Sequence, residues 1–362
     1  MVEYLNGEEL EVYYKCGRSC KGASYLRLLL MLFVCFWSFG FPEPTGYFSA
    51  VCGFATPGFF ILSGYFILAK DEEECEKKTI RKIKRSLKCF GFVFLLYLII
   101  NIVVCLIKKI HVVIRLRTVF NFVVLNLWPL PIGTNIWFIQ SMLYAYIVIF
   151  IAVKLGLMKY YKPVMIVLFL FMLITGEFAG VVHFNILGYR YIPGNWLTRA
   201  LPYILLGKFI REKIDAIHSL KPIVYLGLFA IGAGLTVGEI YLLGKTGNLI
   251  YIGHMIGHGV MAFSVCTLAL YKRKGSTNLI TYYDTSFSGM IYIFMEPIYY
   301  IIGLILGSGS MGFYSEYGGM VALAASLILA FLLNRSIIAR WLFSNSYRRP
   351  KQPLPVELEG KK

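Results

Sequence analysis

Seven ionisable side chains, Arg27, Glu177, Arg199, Glu239, His254, His258 and Glu296, interrupt runs of otherwise apolar sequence. In a bilayer such a residue costs a few kcal/mol at the midplane, so it marks a cavity, a pairing partner or a site of chemistry. Glu296 is the candidate general base, because a carboxylate in an apolar setting moves toward the pH range in which proton abstraction works. A hydrogen bond between helices is the other use of such a residue. His254 and His258 stand four apart on one helical face, the spacing of a two-histidine metal site. No carboxylate motif accompanies them, so hydrogen bonds across helices are expected and no metal. Arg27 lies near the start of the first apolar run, where snorkelling to the interface is its plain structural use. Ser63 and Gly64 are small and suit close helix packing.

The elements that must position these residues follow from composition. The chain has 362 residues, 58% of them hydrophobic and only 15% charged, against about 25% charged in a soluble domain. Its apolar residues fall in blocks near 23–41, 47–69, 89–107, 136–153, 163–181, 197–210, 222–243, 249–271, 287–306 and 319–334. These lengths suit α-helices crossing about 30 Å of hydrocarbon and exclude the short alternating strands of an outer-membrane barrel. The expectation is an all-α polytopic membrane protein of about ten transmembrane helices. Most of its 36 Lys and Arg fall in alternate loops, so both termini are read as cytoplasmic and the protein as multi-pass in the cell membrane. Lys108, Lys109, Arg115 and Arg117 are the exception and imply a helix lying flat at the outer interface. The net charge of +17 is met by anionic headgroups at the inner face, so no nucleic acid partner is expected. Residues 1–22 read as a cytoplasmic head, 23–343 as the membrane domain and 344–362 as a disordered tail. The eight cysteines read as a reduced, structurally neutral set. Oligomeric state is not legible.

Several segments together resemble the type 3 acyltransferases, integral membrane O-acyltransferases that move acyl groups, usually acetyl, onto surface glycans. Tyr25 to Ser38 is similar to the family's first helix, and Pro57-Gly-Phe-Phe-Ile-Leu-Ser-Gly-Tyr65 matches its second-helix pattern P-x-F-F-x-x-S-G-[FY]. A basic stretch, Thr79 to Arg85, follows as in the family. Asn135-Ile-Trp137-Phe resembles the H-x-W-[FY] opening of a middle span, Thr198 to Gly207 a later helix, and Ile291 to Pro297 the late I-Y-L-x-H-P segment.

The resemblance implies an acyl-CoA donor, acetyl-CoA by default, and an acceptor hydroxyl on a cell-surface or lipid-linked polysaccharide. It implies that Arg81, Lys82, Lys84 and Arg85 hold the donor's phosphates, since clustered cations grip phosphate, although a positive-inside anchor needs the same residues. Arg27 would contact the donor too. Arg199 would hold donor or acceptor, or serve as an interfacial anchor, and Ser63, Gly64, Tyr65, Asn135 and Trp137 are the motif positions. Three departures stand out. Where the family carries a catalytic histidine eleven residues after its arginine, this chain has Ser38, and Asn135 and Glu296 replace two further histidines. Eleven residues keep Arg27 and Ser38 on one helical face about 16 Å apart in depth. A hydroxyl cannot replace imidazole as a base near neutral pH, so the proton must go elsewhere, with Glu296 the candidate. The alternative is a catalytically lapsed member acting in polysaccharide transport or export.

Overall fold

The structure is a computed structural model that describes residues 20–39, 46–68, 72–109, 115–186, 189–192, 194–250, 252–270, 279–306, 311–333 and 336–343. The head up to residue 19, the turn at 41–45, the basic residues Lys70, Lys272, Arg273 and Lys274, and the tail from 344 lie outside the described residues. The helices are α1 (Cys20–Phe39), α2 (Tyr47–Cys52), α3 (Ala55–Ile67), α4 (Glu72–Lys108), α5 (Leu116–Leu125), α6 (Ile136–Lys154) and α7 (Tyr161–Thr175). They continue with α8 (Leu201–Glu212), α9 (Ile214–Ser219), α10 (Pro222–Lys245), α11 (Ile256–Leu270), α12 (Leu279–Leu306), α13 (Met311–Leu333) and α14 (Ile337–Phe343). Among the described residues the only β feature is a single bridge between Ile186 and Tyr189.

Each of the ten expected spans coincides with a helix, and seven helical stretches among the described residues are long and apolar enough to cross a membrane. The protein is an all-helical, multi-pass membrane protein. The helix ends depart from the sequence expectation in physically informative ways. The third span is the second half of α4, a continuous 37-residue helix about 55 Å long, well beyond the hydrocarbon thickness. The basic stretch Thr79 to Arg85 is therefore helical rather than a loop. Glu72, Glu73 and Glu74 in the first turn favour the helix N-terminus, and Glu73 with Lys77 and Glu74 with Lys78 form i,i+4 pairs at 2.5 Å. The sixth span begins as one turn of π-helix, Trp196–Ala200, capped by the Asn195 side chain, which accepts from the Leu197 and Thr198 amides. α7 stops at Thr175, which leaves Glu177 in a 3-10 turn, Glu177–Ala179, beyond the span.

Cross-chain contacts fix one end of the bundle. Lys154 at the end of α6 pairs with Glu76 on α4 at 2.7 Å, and Arg211 of α8 donates to the Tyr65 carbonyl of α3 at 2.9 Å. The Arg85 guanidinium lies 5.2 Å from the Phe343 ring centroid of α14. The start of α4 and the ends of α3, α6, α8 and α14 thus meet at what we call the basic end.

α3 is the central helix, burying ten of its 13 residues. It crosses α8 at backbone contact: a Cβ on Gly64 would lie 1.9 Å from the Ile204 carbonyl oxygen, and one on Gly207 2.2 Å from the Ile61 carbonyl oxygen. Such small-residue crossings let helices without a hydrophobic drive between them attract one another by dispersion. Gly64→Ala should therefore cost about 1–3 kcal/mol, the usual penalty of overpacking, seen as a lower unfolding temperature of the detergent-solubilised protein. An unchanged temperature would show that the crossing is not tight.

Candidate active site

A cavity of about 300 Å³ runs between α1, α3, α4, α6 and α12. At the basic end it is lined by Arg27, Lys82 and Arg85. The Arg27 guanidinium sits 5.3 Å from the Phe66 ring centroid. Because α4 is helical here, Lys82 and Arg85 lie one turn apart on its inner face, whereas Arg81 and Lys84 are exposed and line neither this cavity nor the one beyond it. Two of the four cations expected to act together are thus separated from the other two by helix geometry. The walls are apolar, with Met31, Val34, Phe59, Phe138 and Met142 among them, and carry one polar pair, Ser63 Oγ with Tyr146 Oη at 2.6 Å. Gly64 and Tyr65 do not line the cavity. The glycine packs against α8, and the Tyr65 carbonyl and ring face Arg211.

At the far end the lining includes Ser38, Asn135, Trp137 and Tyr292. Arg27 and Ser38 thus open on the same cavity, as their eleven-residue spacing requires. Beyond them lies a second cavity of about 180 Å³, lined by Ser38, Phe39, Thr134, Asn135, Glu296, Tyr299 and Tyr300. The three positions at which the chain departs from the family pattern, Ser38, Asn135 and Glu296, converge there from three different helices.

This convergence depends on the segment leading into α6. Trp128 Nε1 donates to the Ile132 carbonyl at 2.6 Å, and the Asn101 side chain of α4 takes both the amide and the carbonyl of Ile132. Gly133 adopts φ +118°, and a Cβ there would lie 2.5 Å from the Tyr97 ring, so only glycine fits. Glu296, 2% exposed, then collects the next donors. Its Oε1 accepts from the Gly133 amide at 2.9 Å and from the Thr134 amide and hydroxyl at 2.8 Å each, and its Oε2 accepts from the Asn135 amide at 3.0 Å. These amides precede and open α6 and have no helical partner, so a carboxylate is the complementary group. The sequence reading casts Glu296 as a base in an apolar setting, whereas the geometry makes it first an anchor surrounded by four donors. Pro297 removes the amide that would bond Ile293, and the freed carbonyl accepts from Tyr97 Oη at 2.9 Å. Tyr292 Oη closes the unit on the Asn135 carbonyl at 2.7 Å.

Arg199 stands outside both cavities. It is 2% exposed, donates from Nη2 to the Gly53 carbonyl at 3.0 Å and lies 5.7 Å from the ring centroid of Trp137, a cavity-lining residue. His258 Nε2 meets the Ala50 carbonyl at 2.7 Å, an approach that a side chain at Gly53 would block. Glu177 and Glu239 accept from the Ile256 and Gly257 amides at 3.1 and 3.4 Å, capping α11. Burial first, and the neighbouring Glu239 carboxylate second, push the Glu177 carboxyl upward. No group of three or more His, Cys, Asp or Glu among the described residues is arranged to hold a metal ion.

A family model described as an acyltransferase domain matches residues 21–337, most of the chain. The chain belongs to the type 3 acyltransferase family. No curated protein and no solved structure matches it significantly. The protein is thus a membrane acyltransferase by family. The candidate site of this acyltransferase also involves residues that sequence reading did not single out. Asn101, Tyr97 and Tyr292 hold the α6 entry, and Asn101 left a signal as a lone amide inside Leu-Ile-Ile-Asn-Ile-Val-Val. Tyr292 is the tyrosine of the Ile291 to Pro297 segment, whereas Tyr97 left no signal, tyrosine being common throughout this chain.

Replacing Glu296 by Gln substitutes an amide group for one of the two acceptor oxygens and turns its hydrogens against backbone donors. Glu296→Gln should lower stability by about 1–3 kcal/mol through unpaired buried groups, read by thermal unfolding. Wild-type stability in this variant would show that the four hydrogen bonds do not hold the segment.

Proposed function

We propose that the protein transfers an acetyl or similar small acyl group from cytoplasmic acyl-CoA to a hydroxyl of a cell-surface or lipid-linked polysaccharide. The observation that carries this reading is one cavity with three cations at one end and Ser38 with Asn135 at the other, meeting a second cavity there. Positive charge collects on the inner side of membranes, so the basic end is assigned to the cytoplasm, with both termini on that side. CoA phosphates would sit at Arg27, Lys82 and Arg85, where guanidinium groups suit phosphate geometry. The pantetheine arm would lie along the apolar walls, and the about 16 Å of helix rise between Arg27 and Ser38 would set the thioester at the junction. The acceptor hydroxyl would enter the second cavity, where Tyr299 and Tyr300 offer ring faces to a sugar. Arg199 acts in this reading through Trp137, as a positioning residue. Arg81 and Lys84 serve as inner-face anchors.

Donor binding is testable with purified protein. Acetyl-CoA should bind in a salt-sensitive manner, and Lys82→Gln with Arg85→Gln should weaken it at least about tenfold, whereas Arg81→Gln with Lys84→Gln should change it little. Equal losses from both pairs would reduce the stretch to a membrane anchor. Glycan mass analysis of cells with and without the gene tests the reaction. One acyl increment should disappear with the gene. Unchanged acylation together with lost polysaccharide export would favour the transport reading.

A further inference from the structure

The two cavities share two lining residues, Ser38 and Asn135. Ser38 is exposed to them near the end of α1. Asn135 is 7% exposed, and its backbone amide and carbonyl are taken by Glu296 and Tyr292. Its side-chain Nδ2 has no hydrogen-bond partner among the described residues. A buried amide nitrogen without a partner is costly, so this one is matched to an oxygen that arrives with a ligand. At the same junction Glu296 Oε1 is saturated by three donors, whereas Oε2 has one, which leaves it room to accept a proton.

We propose that Ser38 is an acyl carrier: it takes the acyl group from the donor cavity as an ester and delivers it to the acceptor in the second cavity. This rests on the acyl-CoA reading above. It goes beyond it in replacing direct transfer by double displacement. In the first step Ser38 Oγ attacks the thioester carbon, its proton passing to Glu296 Oε2. The Oγ–C bond forms, the C–S bond breaks, and the sulfur leaves as thiolate and takes the proton back from Glu296, giving free CoA thiol. In the second step the acceptor hydroxyl gives its proton to Glu296 and attacks the ester carbon. The new O–C bond forms, the Oγ–C bond breaks, and the proton returns to Ser38. Asn135 Nδ2 donates to the oxyanion of both tetrahedral intermediates, the place where a fixed donor acts most strongly on rate. A carrier also suits the geometry, because donor and acceptor approach the junction from different cavities and never need to be bound together.

Purified full-length protein incubated with acetyl-CoA and no acceptor should release CoA thiol and, after acid quench, show the mass of one acetyl group on the peptide containing Ser38. Hydroxylamine should remove it. Ser38→Ala should abolish the adduct and acyl transfer while retaining acetyl-CoA binding, and Ser38→Cys should carry the acetyl group as a thioester. Asn135→Leu should slow acylation at least about 100-fold without weakening donor binding. Transfer by Ser38→Ala, or transfer by wild type with neither an adduct nor acceptor-independent thiol release, would overturn the carrier and leave the acyltransferase reading intact. Failure of wild type to bind acetyl-CoA would overturn that reading, and the carrier with it.

Discussion

The arrangement depends on one buried carboxylate. Glu296 gathers three backbone amides and a hydroxyl from residues 133–135, and so seats the N-terminus of α6 against the middle of α12. Buried as they are, these donors left without a partner would cost about 1–3 kcal/mol each. The irregular segment before α6 is tolerated because protein groups answer its backbone and because it lines a cavity. Asn101, Trp128 and Tyr292 answer the Ile132 amide and carbonyl and the Asn135 carbonyl, and Tyr97 answers the carbonyl released by Pro297. The Glu296 carboxyl, together with Asn101 and Tyr97, thus ties α4, α6 and α12 into a frame, and both cavities border that frame.

Around it, the helices are brought together by shape. Gly64 and Gly207 allow α3 and α8 to meet at backbone distance, and Gly22 does the same for α1 against the Ala269 carbonyl of α11, where a Cβ would lie 1.8 Å away. The attraction at these crossings is dispersion rather than hydrophobic burial, since lipid tails are as apolar as the side chains. α1 is therefore held with Arg27 and Ser38 directed to the same cavity. The length of α4 completes the arrangement. By remaining helical through its basic stretch it brings Lys82 and Arg85 to the cavity mouth and leaves Arg81 and Lys84 outside.

The resulting cavity is polarised along its length, with cations at one end, apolar walls, and an amide and a hydroxyl at the other beside an acidic anchor. A ligand with phosphates, a flexible arm and a reactive carbonyl matches that order of chemistry. Low dielectric surroundings strengthen each polar contact at the far end, where an oxyanion would develop. The carboxylates capping α11 lie outside this path, and Arg199 borders it only through the Trp137 ring.

The sequence by itself determined the membrane class, the order of the spans and the membership of the family, because hydrocarbon thickness writes itself into the lengths of apolar runs and the Pro57 to Tyr65 motif is contiguous. It also placed Arg27 and Ser38 on one face, since eleven residues make about three turns of a regular helix. Only the tertiary structure decided what depends on contacts between residues far apart in the chain. That Ser38, Asn135 and Glu296 meet required α1, α6 and α12 to pack, and nothing local encodes their proximity. The same holds for Glu296, whose part as an anchor shows only when the amides of a segment more than 160 residues away are seen around it. For Arg199 the resemblance implied donor or acceptor and the residue alone an interfacial anchor, and only the structure shows its Nη2 on the Gly53 carbonyl and its guanidinium beside the Trp137 ring. The division of Arg81 and Lys84 from Lys82 and Arg85 was decided by a helix continuing where charge density alone suggested a loop. Periodicity is local, whereas cavities and hydrogen-bond partners are made by packing.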